Sequence, residues 1–594
     1  ISLGIIFGDI GTSPIYVLKA IMNMATSGNH PITDDLILGG VSCVFWTLTI
    51  VVTIKYVIIA LNADNNGEGG IFALYAIVRR YKAKWTLIPA LLGCASLMAD
   101  GFITPPISIS SAVEGLTILY PDIQTVPTVI GILVIIFLVQ QFGTTKIGVL
   151  FGPIMFIWFS MIGILGTIQI FHNPSVFKAL NPMYAFNLVL NYPGGFWFLG
   201  AVFLCSSGGE ALYSDLGHCG KKNVRVSWTF VKITLLLSYF GQAAFIIGNK
   251  NYDFQNTAPF YAVMPAWFLK IGIAVATMAT ITASQALISG CFTLVNEAMK
   301  LKLWPNQKII NPTIVQGQIY IPFINWMLFF GCVAVVLIFR ESGKMEAAYG
   351  LAISINMIMT TSLLVYYMYI KRKPKFFIWS FLIFFSWIEF TFLVANLDKF
   401  PHGGWFAVLI ATWIFISMYL FYQGKKLRKK HIEFVELKDY LDDLKDLQND
   451  ASIPKEATNL VFMCNADDKR HIDSNIIYSI FRKKPKRADT YWFVHVDITN
   501  DPYGASYSVD TVIPQKCFFI NLKFGFKVEH KVHVMFTQIV EDMEKRGEID
   551  LLSQYPSLRK HGYPADFKYV IMNPLVSIDN KLGPFDQFVI KIYN

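Results

Sequence analysis

The run Gly8-Asp9-Ile10-Gly11-Thr12-Ser13-Pro14-Ile15-Tyr16 places a carboxylate, two hydroxyls, two glycines and a proline among residues otherwise apolar enough to cross a membrane. A charge at that depth is expensive and by default marks an ion or substrate pathway. Glycine and proline break a helix and release its carbonyls. Such irregular backbone is tolerated in a membrane only where it lines a cavity or is buried in protein. The chemistry these residue types offer is capture of a small cation by oxygen atoms.

Two further segments carry the same groups. Ala201–Cys205 runs into Ser206-Ser207-Gly208-Gly209-Glu210 and on through Tyr213, Asp215 and His218. It forms the sixth apolar run, five after the first. Interrupted segments at matching places in two five-helix halves point to an inverted-repeat transporter with a midplane site. The alternative is a pair of kinked helices with buried, paired acids. The third run reads Asp100-Gly101-Phe102-Ile103-Thr104-Pro105-Pro106-Ile107-Ser108, then Ser110, Ser111 and Glu114. At helical spacing Asp100, Thr104, Ser108 and Ser111 share one face, with Glu114 to the side. Pro105 and Pro106 lack N–H groups and should loosen the carbonyls near Gly101 and Phe102. Ser110 and Ser111 read as helix-to-helix glue, and Thr104 and Ser108 as ligand candidates.

Carboxylate, hydroxyl and carbonyl oxygens can replace the hydration shell of an alkali ion. No His/Cys constellation suggests a transition metal, and His172 and His218 are isolated. No nucleophile elbow, Walker loop or HExxH is present, so neither an enzyme nor a cofactor is expected. Asp64-Asn65-Asn66-Gly67-Glu68-Gly69-Gly70 lacks the lysine of a phosphate cradle and reads as a tight turn. There are more buried acids than one monovalent ion needs, and a proton can balance the surplus charge; this is the basis for expecting proton coupling.

The elements that must position these groups are membrane helices. The 594 residues are 54% hydrophobic and 15% charged, with a mean hydropathy of +0.47, against roughly 25% charge in a soluble protein. Twelve runs are long enough to span: residues 3–25, 36–61, 87–118, 126–142, 148–170, 195–215, 225–248, 263–295, 320–339, 345–370, 376–397 and 403–423. The third and eighth are long enough to be tilted or broken. The net charge is +10. With a cytoplasmic N-terminus, one side collects Arg79, Arg80, Lys82, Lys84, Lys146, Lys221, Lys222, Arg225, Lys300, Lys302, Lys308, the cluster from Lys371 to Lys375 and that from Lys425 to Lys430. The other side holds only Lys178, Lys250, Arg340, Lys344 and Lys399. The positive-inside rule then puts both termini in the cytoplasm. Basic residues scattered between apolar runs argue against nucleic acid as a partner. Lys55 and Lys232 read as snorkelling side chains, Lys270 lies near the outer side, and Glu389 also falls within a run. The eight cysteines read as small apolar residues, without disulfides. Ile1 in place of Met predicts a short preceding piece.

Composition changes after Gln423, which divides a transmembrane part, 1–423, from a cytoplasmic domain, 424–594. In the latter, Ile432, Val435, Leu437, Leu441, Leu444 and Leu447 make an approximate helical stripe. Asn459–Cys464, Tyr491–Ile498, Cys517–Leu522, Tyr569–Met572 and Gln587–Ile592 read as strands, with a helix over His530–Arg546: an α/β domain.

Together the motifs closely resemble the KUP/HAK/KT family of potassium uptake permeases. The resemblance rests on Gly8–Pro14, Ala63–Gly70, Asp100-Gly101 with Thr104-Pro105, Ser111–Leu116, Gly209–Tyr213 with Asp215–His218, Ala283–Gly290 and Gly317–Pro322. It implies a LeuT-like inverted-repeat fold of the amino acid–polyamine–cation type, potassium import with protons across the plasma membrane by alternating access, and a homodimer through the cytoplasmic domains. It implies a potassium site of Asp9, Tyr16, Thr104, Ser108, Ser207 and Glu210, with Tyr349 a further candidate and proton coupling at Glu114 or Glu210. Ser207 stands where the family usually has threonine, and Glu389 where it often has aspartate. A nucleotide second messenger acting on the cytoplasmic domain is a further implied partner, although no phosphate-binding motif is present. The rival readings are a potassium uniporter or channel, an amino-acid or polyamine permease of the same fold, and a potassium sensor.

Overall fold

The computed structural model describes residues 2–27, 32–81, 83–142, 145–214, 216–249, 252, 254, 258–310, 319–431, 434–464, 466–468, 471–499, 501–525, 528, 531–553, 555–572 and 583–593. Lys82, Asp215, Lys250, Gly317, Gln318 and Ile432 lie outside them, as do the side chains of Lys146, His218, Lys429 and Lys430. The chain divides into two compact units, Ile1–Met299 with Pro305–Ser417, and Lys300–Trp304 with Met418–Asn594.

Among the described residues, 11 helical stretches are long and apolar enough to cross a membrane, from Asp34–Asn62 to Phe400–Arg428. Each overlaps one expected run. The remaining run, residues 3–25, is not a long helix. It is divided into Ser2–Ile5, Gly8–Thr12, a tight turn Ser13–Ile15 and Val17–Ser27. Pro14 cannot donate to the preceding turn, and Tyr16 N instead closes a short bond of 3.2 Å to Ser13 O. The sixth run is interrupted too. Phe203–Ser206 ends at Ser207, Gly208 turns left-handed at φ 75°, and Gly209–Ser214 begins beyond it.

The third and eighth runs are continuous over Leu87–Thr117 and Leu269–Lys300. The helix survives Pro105 because the Gly101 carbonyl that it orphans accepts the Cys332 thiol at 3.6 Å. Asp34–Thr47 continues into a π-helical stretch, Leu48–Ile59. That stretch carries Lys55 fully inside the protein, at 0% exposure. The snorkelling expectation is therefore wrong for Lys55: a carboxylate from a distant helix meets it in the interior. Asp64–Gly70 is a tight turn as expected, closed by paired backbone bonds between Asn65 and Glu68 of 2.8 and 3.1 Å.

Small residues set the helix spacing around the first segment. A Cβ on Gly241 would lie 2.3 Å from Gly166 Cα, so Thr145–His172 and Lys221–Gly248 cross nearly backbone to backbone. From that crossed pair, Trp158 Nε1 donates to Gly11 O at 2.9 Å and Gln242 Nε2 to Pro14 O at 3.0 Å. The carbonyls freed by the break are thus tied to the scaffold, and the break is held in place.

The second unit contains a five-stranded sheet in the order Ala505–Ile513, Cys517–Gly525, Arg487–Thr499, Lys455–Cys464, Phe567–Ile571. Only the Ala505–Ile513 edge is antiparallel. Side chains alternate as a sheet requires. Leu460, Phe462, Tyr491 and Phe493 meet Leu444 and Ile480 on one face, while Val461, Trp492 and Val494 meet Phe536 and Ile539 on the other. A three-stranded antiparallel sheet joins Phe434–Glu436, His471–Asp473 and Ala466–Asp468. Two expectations are corrected. The stripe from Val435 starts as a strand and becomes α-helical only over Leu441–Asn449. Gln587–Ile592 lies in the helix Pro584–Tyr593, which opens with Pro584 and has Asp586 in its first turn, both favourable there. No disulfide joins the eight cysteines, and seven of them are buried.

Candidate functional site

The two breaks meet. A Cβ on Gly208 would lie 2.9 Å from Ile10 N and 3.0 Å from both Asp9 Cβ and Asp9 Oδ2. Only glycine allows this approach, and the left-handed φ favours it as well. Ser207, just before Gly208, donates from Oγ to Asp9 Oδ2 at 2.6 Å. Tyr349, from helix Ser342–Ile370, touches the Ser207 hydroxyl and reaches Asp9 Oδ2 at 3.5 Å. Thr12 Oγ1 donates to Asp9 O at 2.9 Å and lies 3.4 Å from Ser108 Oγ. Hydroxyls from two other segments therefore reach the Asp9 carboxylate, and Thr12, which touches Ser108 of a further segment, bonds the Asp9 main-chain oxygen.

Asp9 is 5% exposed, and its second oxygen, Oδ1, has no protein hydrogen-bond partner among the described residues. A buried carboxylate oxygen left unpaired costs several kcal/mol, on the order of 1–3 or more. Such an orphan in a native fold calls for an ion or another functional explanation. Carboxylate, hydroxyl and phenol oxygens suit a partly dehydrated alkali ion.

The remaining expected residues stand at varying distances from this cluster. Thr104 donates to Asp100 Oδ1 at 2.5 Å, both buried on helix Leu87–Thr117. Glu210 accepts from Tyr56 OH at 3.3 Å. Among the described residues, no hydrogen bond joins Asp9 to Glu210 or Tyr16. Tyr16 is buried and lines a cavity of about 370 Å³ shared with Lys19, Ser111, Glu114, Tyr261 and Ser342. Glu114 there pairs with Lys19 at 2.8 Å and accepts Ser342 N and Oγ at 2.8 and 2.7 Å. On the other side, Asp9 borders a smaller cavity of about 40 Å³ with Ile6, Ser214, Ala283 and Leu294. The cluster thus lies between two cavities, reached from opposite ends of the first segment.

The sequence counts Thr12 only among the hydroxyls of the first segment, leaves Tyr56 without a role and gives Tyr349 a secondary one. Thr12 carried a signal, as a hydroxyl three residues from Asp9. Tyr56 and Tyr349 lay in apolar runs with nothing nearby to distinguish them from core aromatics.

Comparison with known proteins follows the same division of the chain. The profile of the K+ potassium transporter integral membrane domain matches residues 1–426, and that of the K+ potassium transporter C-terminal domain matches residues 457–594. A probable potassium transport system protein Kup of Flavobacterium psychrophilum is 52% identical over 100% of this chain and 91% of its own length. The proteins of that description from Clostridium perfringens and Streptococcus agalactiae are 44% and 42% identical, over 100% and 99% of this chain and 92% and 89% of their own lengths. A solved manganese transporter of Eremococcus coleocola is 12% identical over 70% of this chain and 93% of its own, at a TM-score of 0.35, too low to carry an argument.

Proposed function

From the premise that this chain belongs to the KUP/HAK/KT family of potassium transporters, we propose that it takes up potassium together with a proton by alternating access, in the plasma membrane. It is a multi-pass membrane protein and a potassium uptake transporter. The broken first segment counts as a twelfth span, both termini are cytoplasmic, and the two interrupted segments are corresponding members of a LeuT-like inverted repeat. Residues 1–423 transport. Residues 424–594 lie in the cytoplasm and pair two copies.

The observation that carries this reading is Asp9 Oδ1, a buried carboxylate oxygen without a protein partner at the junction of two broken segments. Potassium binds there, with Ser207, Tyr349, Thr12 and Ser108 around it. Tyr16, Thr104 and Glu210 close in during the cycle. In this orientation the larger cavity faces outward and the smaller one inward, which supports access from alternate sides to a fixed site. The proton rides on Glu210, next to the cluster, or on Glu114, where ion and proton enter.

Proteoliposomes enclosing a pH dye test the coupling. Potassium entry with internal acidification is the expected result. Potassium entry at unchanged internal pH would reduce the activity to uniport.

A further inference from the structure

Lys55 is the least expected buried group in the membrane unit. Its ammonium has three N–H donors, and three oxygens take them: the Glu389 carboxylate, Met357 O at 3.1 Å and Tyr56 OH at 3.3 Å. They come from helices Lys375–Leu397 and Ser342–Ile370 and from the π-helical stretch itself. Thr361 Oγ1 donates to Glu389 Oε1 at 2.7 Å, and Glu389 Oε2 has no protein partner among the described residues. Lys55 is 0% and Glu389 1% exposed. Fold stability does not account for the pair, because replacing a buried ion pair by apolar groups of similar volume is often neutral or stabilising. A carboxylate, a main-chain carbonyl and a phenol around a dehydrated monovalent cation form the same kind of donor set as the Asp9 cluster. Tyr56 connects this set to Glu210, accepting from Lys55 and donating to the Glu210 carboxylate.

We propose that Glu389, Met357 O and Tyr56 form a second monovalent-cation cage, permanently filled by the tethered ammonium of Lys55, with Tyr56 hydrogen-bonded between that ammonium and Glu210. A tethered cation cannot leave during the cycle, so the neighbourhood of Glu210 keeps a fixed positive charge without taking a second ion from solution. Vacated, the cage takes a small alkylammonium or alkali ion. The effect on uptake rests on the transport reading above; the binding does not.

The test uses the purified full chain as Lys55→Ala, with methylammonium chloride as probe and choline chloride as ionic-strength control. The cage predicts that methylammonium raises the melting temperature of Lys55→Ala saturably, but not that of the native chain or of Lys55→Ala/Glu389→Gln. It also predicts that rubidium uptake by Lys55→Ala falls roughly tenfold or more, as expected for loss of a functional intramembrane charge, and recovers with the same methylammonium dependence. A Lys55→Ala melting temperature that responds to methylammonium no more than the native one overturns the cage. So does native-like uptake without the amine. Should Lys55→Ala fail to fold, Lys55→Met/Glu389→Gln, neutral and similar in volume, decides: reduced uptake supports the cage, and native uptake overturns it. A native chain that takes up no potassium while Lys55→Ala still shows the saturable shift would overturn the transport reading and leave the cage standing.

Discussion

Two buried oxygen clusters lie close together in the membrane unit, and they differ in what stands among their oxygens. Each cluster has one carboxylate oxygen without a protein partner among the described residues, but around Asp9 there are hydroxyls, which donate weakly and can turn away. Around Glu389 there is a lysine, whose three donors are all used. The first arrangement can exchange a cation; the second holds one covalently. A carboxylate deep in a membrane protein therefore does not by itself mark a transported-ion site. The presence or absence of a tethered counter-charge decides.

The largest effect should follow from closing the gap between the broken segments. Gly208→Val meets both a left-handed φ of 75° and contacts of about 3 Å with Asp9. Forcing an L-residue there costs roughly 1–2 kcal/mol for the backbone alone, and the clash moves Asp9. Rubidium uptake should fall about a hundredfold or more, roughly 2.7 kcal/mol of lost stabilisation, while the protein still migrates as a folded peak in detergent. Native uptake would mean that the contact between the two breaks is incidental.

Next come the hydroxyls that distinguish the first cluster. Ser207→Ala and Tyr349→Phe each remove one donor to Asp9 and leave the fold. Each should raise the KM for potassium by roughly tenfold, as loss of a charge-assisted hydrogen bond would, with kcat changed much less. Thr361→Val, which touches only the lysine-filled cluster, should leave that KM within about twofold of native. Equal effects from the three variants would erase the distinction drawn between the clusters.

Glu114→Gln offers a smaller and more selective change. Glu114 is tied to Lys19 and Ser342 beside the larger cavity and does not touch Asp9. Internal acidification per potassium should drop while the potassium KM moves little. An unchanged ratio would assign the proton to Glu210.

The C-terminal sheet is the contrasting case, since both its faces pack against apolar side chains. Trp492 donates to Asn459 Oδ1 at 3.0 Å and stacks on Phe518 with ring centres 4.6 Å apart. Trp492→Ala should cost about 3–5 kcal/mol in urea unfolding of this domain. Burial pushes the Cys464 and Cys517 thiols from 9.0 up to about 12. The unfolded chain therefore loses these protons first, and domain stability should fall as pH rises through that window. Maleimide labelling of both thiols at pH 7 should be slow until urea unfolds the domain.

How much of this could be read from the sequence depended on whether a signal was local. Asp9 and Ser207 announce themselves because a charge, hydroxyls and helix-breaking residues crowd into a few positions. Lys55 does not, because its partner Glu389 lies 334 residues away, and a lone lysine in an apolar run looks the same whether it snorkels or is buried. Pro105 and Pro106 suggested a break, but a thiol from another helix takes up the orphaned carbonyl. In the C-terminal domain, alternating strands were legible where both faces are buried. The edge strand Ala505–Ile513, more polar throughout, escaped notice. The run 587–592 was apolar enough for a strand, but its first-turn proline and aspartate made it a helix.

The most direct test of the central claim is paired potassium and proton flux in dye-loaded proteoliposomes, native chain against Asp9→Asn. Asparagine keeps the size of the side chain and removes its charge. The account predicts potassium entry with acidification in the native protein and loss of both in Asp9→Asn. Undiminished potassium entry in Asp9→Asn would contradict it, by showing that the unpaired carboxylate oxygen is not where the ion binds.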